Sequence, residues 1–358
     1  MPRLSSSRLR APVNVTWEIT TACNLGCNHC LSAGMRVPGR AELDLDQCRA
    51  FIDELECMKV FQVNFGGGEP FLRADFLEIL RYAHARGITS CVSTNGTLLD
   101  DNIVDELLRI PPVYLQVSLD GVEAGTNDAI RGEGTFGRIL SGIELLFERG
   151  YPHLSLNMVV TRLNVDEIGE FDRLARRYGA KTRLSRFRPS GAGCGAWEDY
   201  RLTRDQLQEL SVFLGEHPEI LTGDSFFALR PAERRSLGLT MCGAAKMTCG
   251  VAPDGSVYAC AFLRDDVLCA GNVTTESLSA IWSSPIFERF RELEVKACRT
   301  CDRFSQCHGG CPAIGWFLAR SLELADPECL RAVTPGQGPE GAGEAGCVAE
   351  AAPRERVT

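Results

Sequence analysis

No apolar run along the 358 residues is long enough to cross a bilayer. The basic, Ser-rich start from Pro2 to Arg10 is not followed by the apolar core of a signal peptide. The expected location is the cytoplasm, with no membrane partner. Positive charge is in deficit: 38 Lys and Arg against 47 Asp and Glu leave a net charge of −9, which argues against nucleic acid as a partner. Cysteine, by contrast, is abundant, at 17 residues. In a leaderless chain so many thiols point to metal ligation rather than a disulfide framework. The content of 44% hydrophobic and 24% charged residues is that of a globular protein, long enough for one large and one smaller domain.

The chain is organised around Cys23-Asn24-Leu25-Gly26-Cys27-Asn28-His29-Cys30. Three thiolates spaced C-x3-C-x2-C can hold three corners of an iron–sulfur cube and leave the fourth iron open to a cofactor or substrate. A zinc knot would bring a second short cysteine pair nearby, but the next C-x2-C is Cys298 to Cys301. The plain alternative is three core cysteines.

Residues 1–12 read as a disordered lead-in. Val13 to Thr20 is β-rich and runs directly into the cysteine loop. Leu45, Cys48, Phe51, Ile52, Leu55 and Met58 have helical spacing, and Asp44 with Gln47 resembles a capping box. Further strands are expected at Lys59 to Phe65, Ile88 to Thr94, Val113 to Leu119, Leu154 to Thr161 and Lys181 to Phe187. Helices are expected near Ala74 to Arg86, Leu99 to Arg109, from Thr135 through Phe147, and near Val165 to Tyr178. Six strands alternating with helices imply an α/β fold with a parallel sheet, whose ligands gather at the C-terminal ends of the strands. Gly66-Gly67-Gly68-Glu69-Pro70, Ser93-Thr94-Asn95, Ser118-Leu119-Asp120, Asn157 and Arg186 all fall at such ends. The glycines read either as a tight turn or as backbone that lets a ligand approach closely. Taken singly, the Ser, Asn and Asp residues could be capping or turn residues.

C-x3-C-x2-C after an N-terminal strand resembles the signature of radical S-adenosylmethionine (SAM) enzymes. That resemblance implies a partial (β/α)6 barrel, here residues 13–200. It also implies that SAM chelates the open iron held by Cys23, Cys27 and Cys30. By the same resemblance Gly67, Gly68 and Glu69 contact the methionine amino group. Asn95, Ser118 and Asp120 line the SAM site, with Asn157 a further candidate.

After a linker with bridging helices over 201–240, a second cysteine field occupies 241–330. Cys242, Cys249, Gly255 and Cys260 are followed by Cys298, Cys301, Cys307 and Cys311 at C-x2-C-x5-C-x3-C, and then by Cys329. Eight thiolates can ligate two cubes fully. The pattern is similar to the SPASM domain, and by that likeness Cys242, Cys249, Cys260 and Cys311 hold auxiliary cluster I. Cys298, Cys301, Cys307 and Cys329 hold auxiliary cluster II, for three [4Fe–4S] clusters in all. Cys48, Cys57, Cys91, Cys194, Cys269 and Cys347 read as core or incidental, and residues 331–358 as a disordered tail.

Longer strings resemble the mycofactocin maturases. They are Val63 to Pro70, Ser185-Arg186-Phe187-Arg188-Pro189-Ser190-Gly191, Leu221 to Phe227, and the region around Cys242-Gly243-Ala244. Ala261 stands where sulfatase-maturing relatives carry an acidic residue, which argues against that activity. The resemblance implies a precursor peptide ending in Val-Tyr, decarboxylated and then crosslinked, with SAM as cofactor and an electron donor as partner. About a dozen residues precede the first strand, so a separate leader-binding chaperone is expected. Arg186 and Arg188, two apart in a strand and so on one side, are candidates to hold the peptide carboxylate; a solvated or ion-paired strand end is the alternative. Rival readings are another radical SAM–SPASM reaction, on a tetrapyrrole side chain or as a different peptide crosslink, and a non-catalytic metal-stapled binding module.

Overall fold

The computed structural model describes residues 8–35, 39, 41–222, 226, 229 and 242–331. The expected lead-in as far as residue 7, the tail from 332, Cys347, residues 223–225 and 227 of one quoted string, and most of the linker's second half lie outside the described residues.

The first half alternates as the hydrophobic pattern dictates. Strands β1 (Asn14–Thr20), β2 (Gln62–Gly67), β3 (Thr89–Thr94), β4 (Val113–Ser118), β5 (Leu154–Val160) and β6 (Lys181–Arg186) pair in parallel, in sequence order. Helices α1 (Leu45–Cys57), α2 (Phe76–Ala85), α3 (Asp101–Leu108), α4 (Ala124–Arg131), α5 (Thr135–Glu148) and α6 (Ile168–Arg177) make the crossovers. Helix α1 begins with the capping box: the Asp44 carboxylate accepts from Gln47 N–H, and the Gln47 side chain accepts from Asp44 N–H. Its apolar stripe, Cys48, Phe51, Ile52 and Leu55, is buried, and the Phe51 ring meets Trp17 of β1 edge-on at 5.0 Å.

Alternation along the strands separates two faces. Val15, Trp17 and Ile19 of β1 pack towards the helices. Residues on the opposite face are polar and bond across strands: Ser93 donates to Asn64 (3.3 Å), Gln116 to Ser93 (3.3 Å) and Ser185 to Asn157 (2.7 Å). This polar inner face is the lumen of the partial barrel.

Helix α4 was not expected. Its sequence, AGTNDAIR, has one strongly apolar residue, Ile130, and polar contacts hold it instead. Asn127 Oδ1 accepts from Asp120 N–H (3.1 Å), and Asp128 accepts from the N–H groups of Gly134 and Phe136 at the start of α5.

Beyond β6 come α7 (Trp197–Tyr200) and α8 (Arg204–Glu216), the latter with a Thr203/Gln206 capping box. Leu221 bridges to the outer edge of β6. The second cysteine field then joins the same sheet. Strand β7 (Thr248–Val251) pairs in parallel with β1, Asn14 opposite Thr248, and β8 (Ser256–Tyr258) and β9 (Gly271–Asn272) follow antiparallel. The result is one open nine-stranded sheet, β6-β5-β4-β3-β2-β1-β7-β8-β9, in place of an isolated six-stranded one. Short helices α9 (Leu278–Trp282), α10 (Pro285–Arg291), α11 (Phe304–Cys307) and α12 (Pro312–Ala319) complete the described chain. None of the described helices is long and apolar enough to cross a membrane.

Candidate active site and metal centres

The three-cysteine loop leaves β1 at the C-terminal mouth of the sheet and is fixed from three sides. On one side the Gly-rich turn after β2 presses against its start. Gly68 N–H donates to Thr20 carbonyl (2.8 Å) and Glu69 N–H to Ala22 carbonyl (2.7 Å). A Cβ at Gly68 would lie 1.9 Å from the Ala22 oxygen; one at Gly67, whose φ is +113°, would lie 2.5 Å from the Thr20 oxygen. Both glycines are therefore imposed by close approach of backbone to backbone. On the second side Asn28 N–H donates to Ile130 carbonyl (2.9 Å) and its side chain to Ala129 carbonyl (3.0 Å), so α4 clasps the loop. On the third, Ala192 N–H donates to Cys30 carbonyl (2.9 Å).

The expected SAM-site residues converge here, several of them as supports of the loop. Asn95 Nδ2 donates to Asn24 (2.9 Å) and reaches Cys23 Sγ at 4.0 Å. A donor on a ligand sulfur is a means of tuning a cluster. The fully buried Glu69 carboxylate accepts from Thr94 hydroxyl (2.8 Å), Asn95 N–H (2.7 Å) and Phe71 N–H (3.3 Å), tying the ends of β2 and β3 together. Burial raises its pKa to about 7 against these stabilising donors. Asp120, expected to contact SAM, is also fully buried. Its Oδ1 accepts from Val159 N–H (2.7 Å), and its Oδ2 lies 2.8 Å from Arg131 Nε and 3.1 Å from His29 Nε2. Burial would raise the Asp120 pKa, but Arg131 and His29 outweigh it and hold the carboxyl below its ordinary range. Through His29 this acid positions the residue before Cys30. Ser118 and Asn157 are register partners on adjacent strands.

Cys23, Cys27 and Cys30 are half-buried thiols outside any disulfide, and each of the other two acts electrostatically on Cys27, whose pKa burial pushes up to about 11. Cys27 lies within electrostatic reach of both Cys23 and Cys30, on a loop anchored by its backbone beside a polar lumen, and this donor set suits an iron–sulfur cube with one open iron.

In the second field, Cys298 feels Cys307, Cys329 and Cys301 electrostatically, while burial pushes its pKa to about 11. The chain brings these four thiols together although Cys329 is far along the sequence. His308, Gly309 and Gly310, with φ of 52°, 95° and 101°, reverse the chain between Cys307 and Cys311. Such left-handed turns are common beside anionic clusters. Cys249 is fully buried on β7, and Gly250 packs against the backbone of Cys260 and Ala261 across the β7–β8 hairpin. Of the incidental cysteines among the described residues, Cys48 is buried under α1 and Cys57 is exposed.

The Arg186 guanidinium, a candidate for the substrate carboxylate, is engaged by acceptors of its own chain. Nη1 and Nη2 donate to the two oxygens of Asp326 (2.6 and 2.5 Å), and Nε donates to Glu328. The ion-paired strand end is the arrangement that occurs. Burial opposes the charge on Arg186, but the two carboxylates raise its pKa further. Burial would raise the Asp326 pKa, yet Arg186 holds it low; Glu328, left the weaker share of the arginine, is pushed up by burial. Asp326 also accepts from Cys311 N–H (3.0 Å), so one carboxylate ties β6 to the second cysteine field. Arg188 lies beyond the end of β6, its guanidinium 3.8 Å over the Phe262 ring, so the two arginines do not form one strand face. Residues that the sequence did not single out are Glu18, Arg131, Arg264, Asp326 and Glu328; each is a buried charge, and all but Arg131 have partners more than a hundred residues away.

Residues 17–175 match the Radical SAM superfamily, and residues 242–302 match SPASM, described as an iron-sulfur cluster-binding domain. The chain is 43% identical over 329 residues to mycofactocin maturase MftC of Mycolicibacterium smegmatis, covering 90% of this chain and 83% of that one. It is 30% identical to AdoMet-dependent heme synthase of Methanosarcina barkeri, covering 89% and 97% respectively. Its fold is similar to that of Streptococcus suis SuiB bound to precursor peptide SuiA, with a TM-score of 0.74 at 18% identity, covering 90% of this chain and 77% of that one. The chain belongs to the mycofactocin maturase family of radical SAM proteins with a SPASM domain.

Proposed function

We propose that this protein matures a ribosomally made precursor peptide ending in Val-Tyr. Its C-terminal tyrosine would give its β-hydrogen atom to the SAM-derived radical and one further electron to an acceptor, for which the auxiliary clusters are proposed, losing the carboxylate as CO2 and leaving an alkene. A bond from the valine β-carbon would then close a lactam. The observation that carries this reading is the anchored three-cysteine loop facing a polar lumen, in a chain 43% identical to a mycofactocin maturase. When bound, a reduced [4Fe–4S] cluster with an open iron supplies the electron that splits SAM into methionine and a 5′-deoxyadenosyl radical.

The chain's own part is to hold and orient. Cys23, Cys27 and Cys30 would hold the SAM-binding cluster, and Asn95 would donate to its Cys23 sulfur. The backbone of Gly67 and Gly68 and the lumen residues Ser118 and Asn157 would receive SAM. Glu69 and Asp120 would keep that backbone and the loop in place. Cys242, Cys249, Cys260 and Cys311 would hold one auxiliary cluster, and Cys298, Cys301, Cys307 and Cys329 the other. Both would be fully ligated, which suits electron transfer rather than substrate binding. A leader-binding chaperone and an electron donor are the proposed partners.

Anaerobic incubation of the reconstituted protein with SAM, dithionite, the peptide and its chaperone tests this. The expected product has lost CO2 and two hydrogens by mass spectrometry, and a crosslinked product of the same mass follows. The heme synthase relative favours a second reading, modification of a tetrapyrrole side chain. An unchanged peptide together with a modified tetrapyrrole would select it.

A further inference from the structure

Glu18 is the sole acidic residue of β1, and it lies on the lumen face, opposite to Trp17 and Ile19. Its Oε1 accepts from the Ser32 hydroxyl (2.6 Å), two residues beyond Cys30, and its Oε2 takes Nη1 of Arg264. Arg264 arrives from the loop after Cys260, where its Nε donates to Ala261 carbonyl (2.7 Å). This ion pair joins the second cysteine field to the loop of the first. The guanidinium is not satisfied by it. Arg264 is 8% exposed, and its Nη2 is buried without a hydrogen-bond partner among the described residues. Ser190 Oγ is in the same condition, in the turn where Gly191 packs on the carbonyls of Cys30 and Leu31.

A buried cationic N–H group without an acceptor is unfavourable and calls for one from outside the chain. The free corner of a guanidinium fork suits a carboxylate. Resting on the maturase reading above, we propose that Arg264 Nη2 anchors the C-terminal carboxylate of the precursor peptide, with Glu18 holding the guanidinium in position. The carboxyl carbon is two bonds from the tyrosine β-carbon. Anchoring it on a side chain tied through Glu18 to Ser32 therefore brings the reacting carbon beside the three-cysteine loop. Glu18 and the peptide carboxylate then compete for one positive charge, so Arg264 is a specificity residue whose strength Glu18 limits.

The test uses the reconstituted holoprotein with its chaperone and two peptides, one ending in a free carboxylate and one in a C-terminal amide. Affinity for each is measured, with SAM affinity followed separately by its effect on the cluster's electron paramagnetic resonance. The wild type is expected to prefer the acid peptide by roughly 10- to 100-fold, the range of one charge-assisted pair. Arg264→Gln should abolish that preference, and Arg264→Lys should retain part of it. Glu18→Gln removes the competing negative charge, while its amide oxygen can still accept from Arg264 Nη1 and hold the anchor in position, and should tighten the acid peptide severalfold while leaving the amide unchanged. A merely structural role would not produce this gain, and it decides the matter even if Arg264→Gln fails to fold. Retained acid preference in Arg264→Gln, or weakened SAM binding with unchanged peptide preference, overturns the anchor while leaving the maturase reading intact. A wild-type holoprotein that binds neither peptide overturns both.

Discussion

Arg186→Ala is expected to destabilise the protein by about 3–5 kcal/mol, because it leaves two buried carboxylates facing each other without their cation. Asp326 and Glu328 lie between Cys311 and Cys329, and Asp326 accepts from Cys311 N–H, so the damage falls on the second cysteine field. The variant should lose iron from that field and melt at a lower temperature, both measurable anaerobically on the purified protein. If Arg186 were instead a substrate ligand, turnover would fall with iron content and melting unchanged. Arg188→Ala is the milder comparison: its side chain stacks on Phe262, donates to the Arg186 carbonyl and acts on Glu328 only through space, so iron content should fall less.

Gly68→Ala is expected to be as severe for a different reason. The added methyl would sit 1.9 Å from the Ala22 carbonyl oxygen, which is backbone and cannot rotate away. Relief requires separating the turn from the start of the cysteine loop, breaking the bonds of Gly68 to Thr20 and Glu69 to Ala22. Overpacking typically costs about 1–3 kcal/mol, and a clash with fixed backbone belongs at the upper end of that range. Displacement of Cys23 should abolish SAM cleavage as well as lower the melting temperature. Gly66→Ala is the matched control, since its methyl would meet only Ser93 Cβ, at an ordinary 3.8 Å. Equal melting temperatures for the two variants would mean that the close approach at Gly68 is not a constraint.

What was legible in the sequence was what is decided locally. The six parallel strands, the capping box of α1 and the placing of motifs at strand ends follow from period and neighbouring residues, and the structure has them. Pairing across long stretches was not legible. Nothing near Thr248 says that β7 will lie along Asn14 and extend the barrel sheet into the second cysteine field. Helix α4 escaped because polar side chains rather than an apolar stripe hold it. The partners of Arg186 lie about 140 residues further on, beyond any local pattern. One signal was available: a glutamate inside the β-run VNVTWEIT must be buried, and a buried charge requires a partner. Arg264 is that partner.

Release of 5′-deoxyadenosine is the most direct test of a radical SAM site at the three-cysteine loop. Reconstituted wild type, reduced in the presence of SAM, should form it. Cys27→Ala should form none while keeping roughly two thirds of its iron, the share of two cubes out of the three proposed. Formation by Cys27→Ala, or none from a wild type shown to hold its clusters, would contradict the assignment of catalysis to this loop.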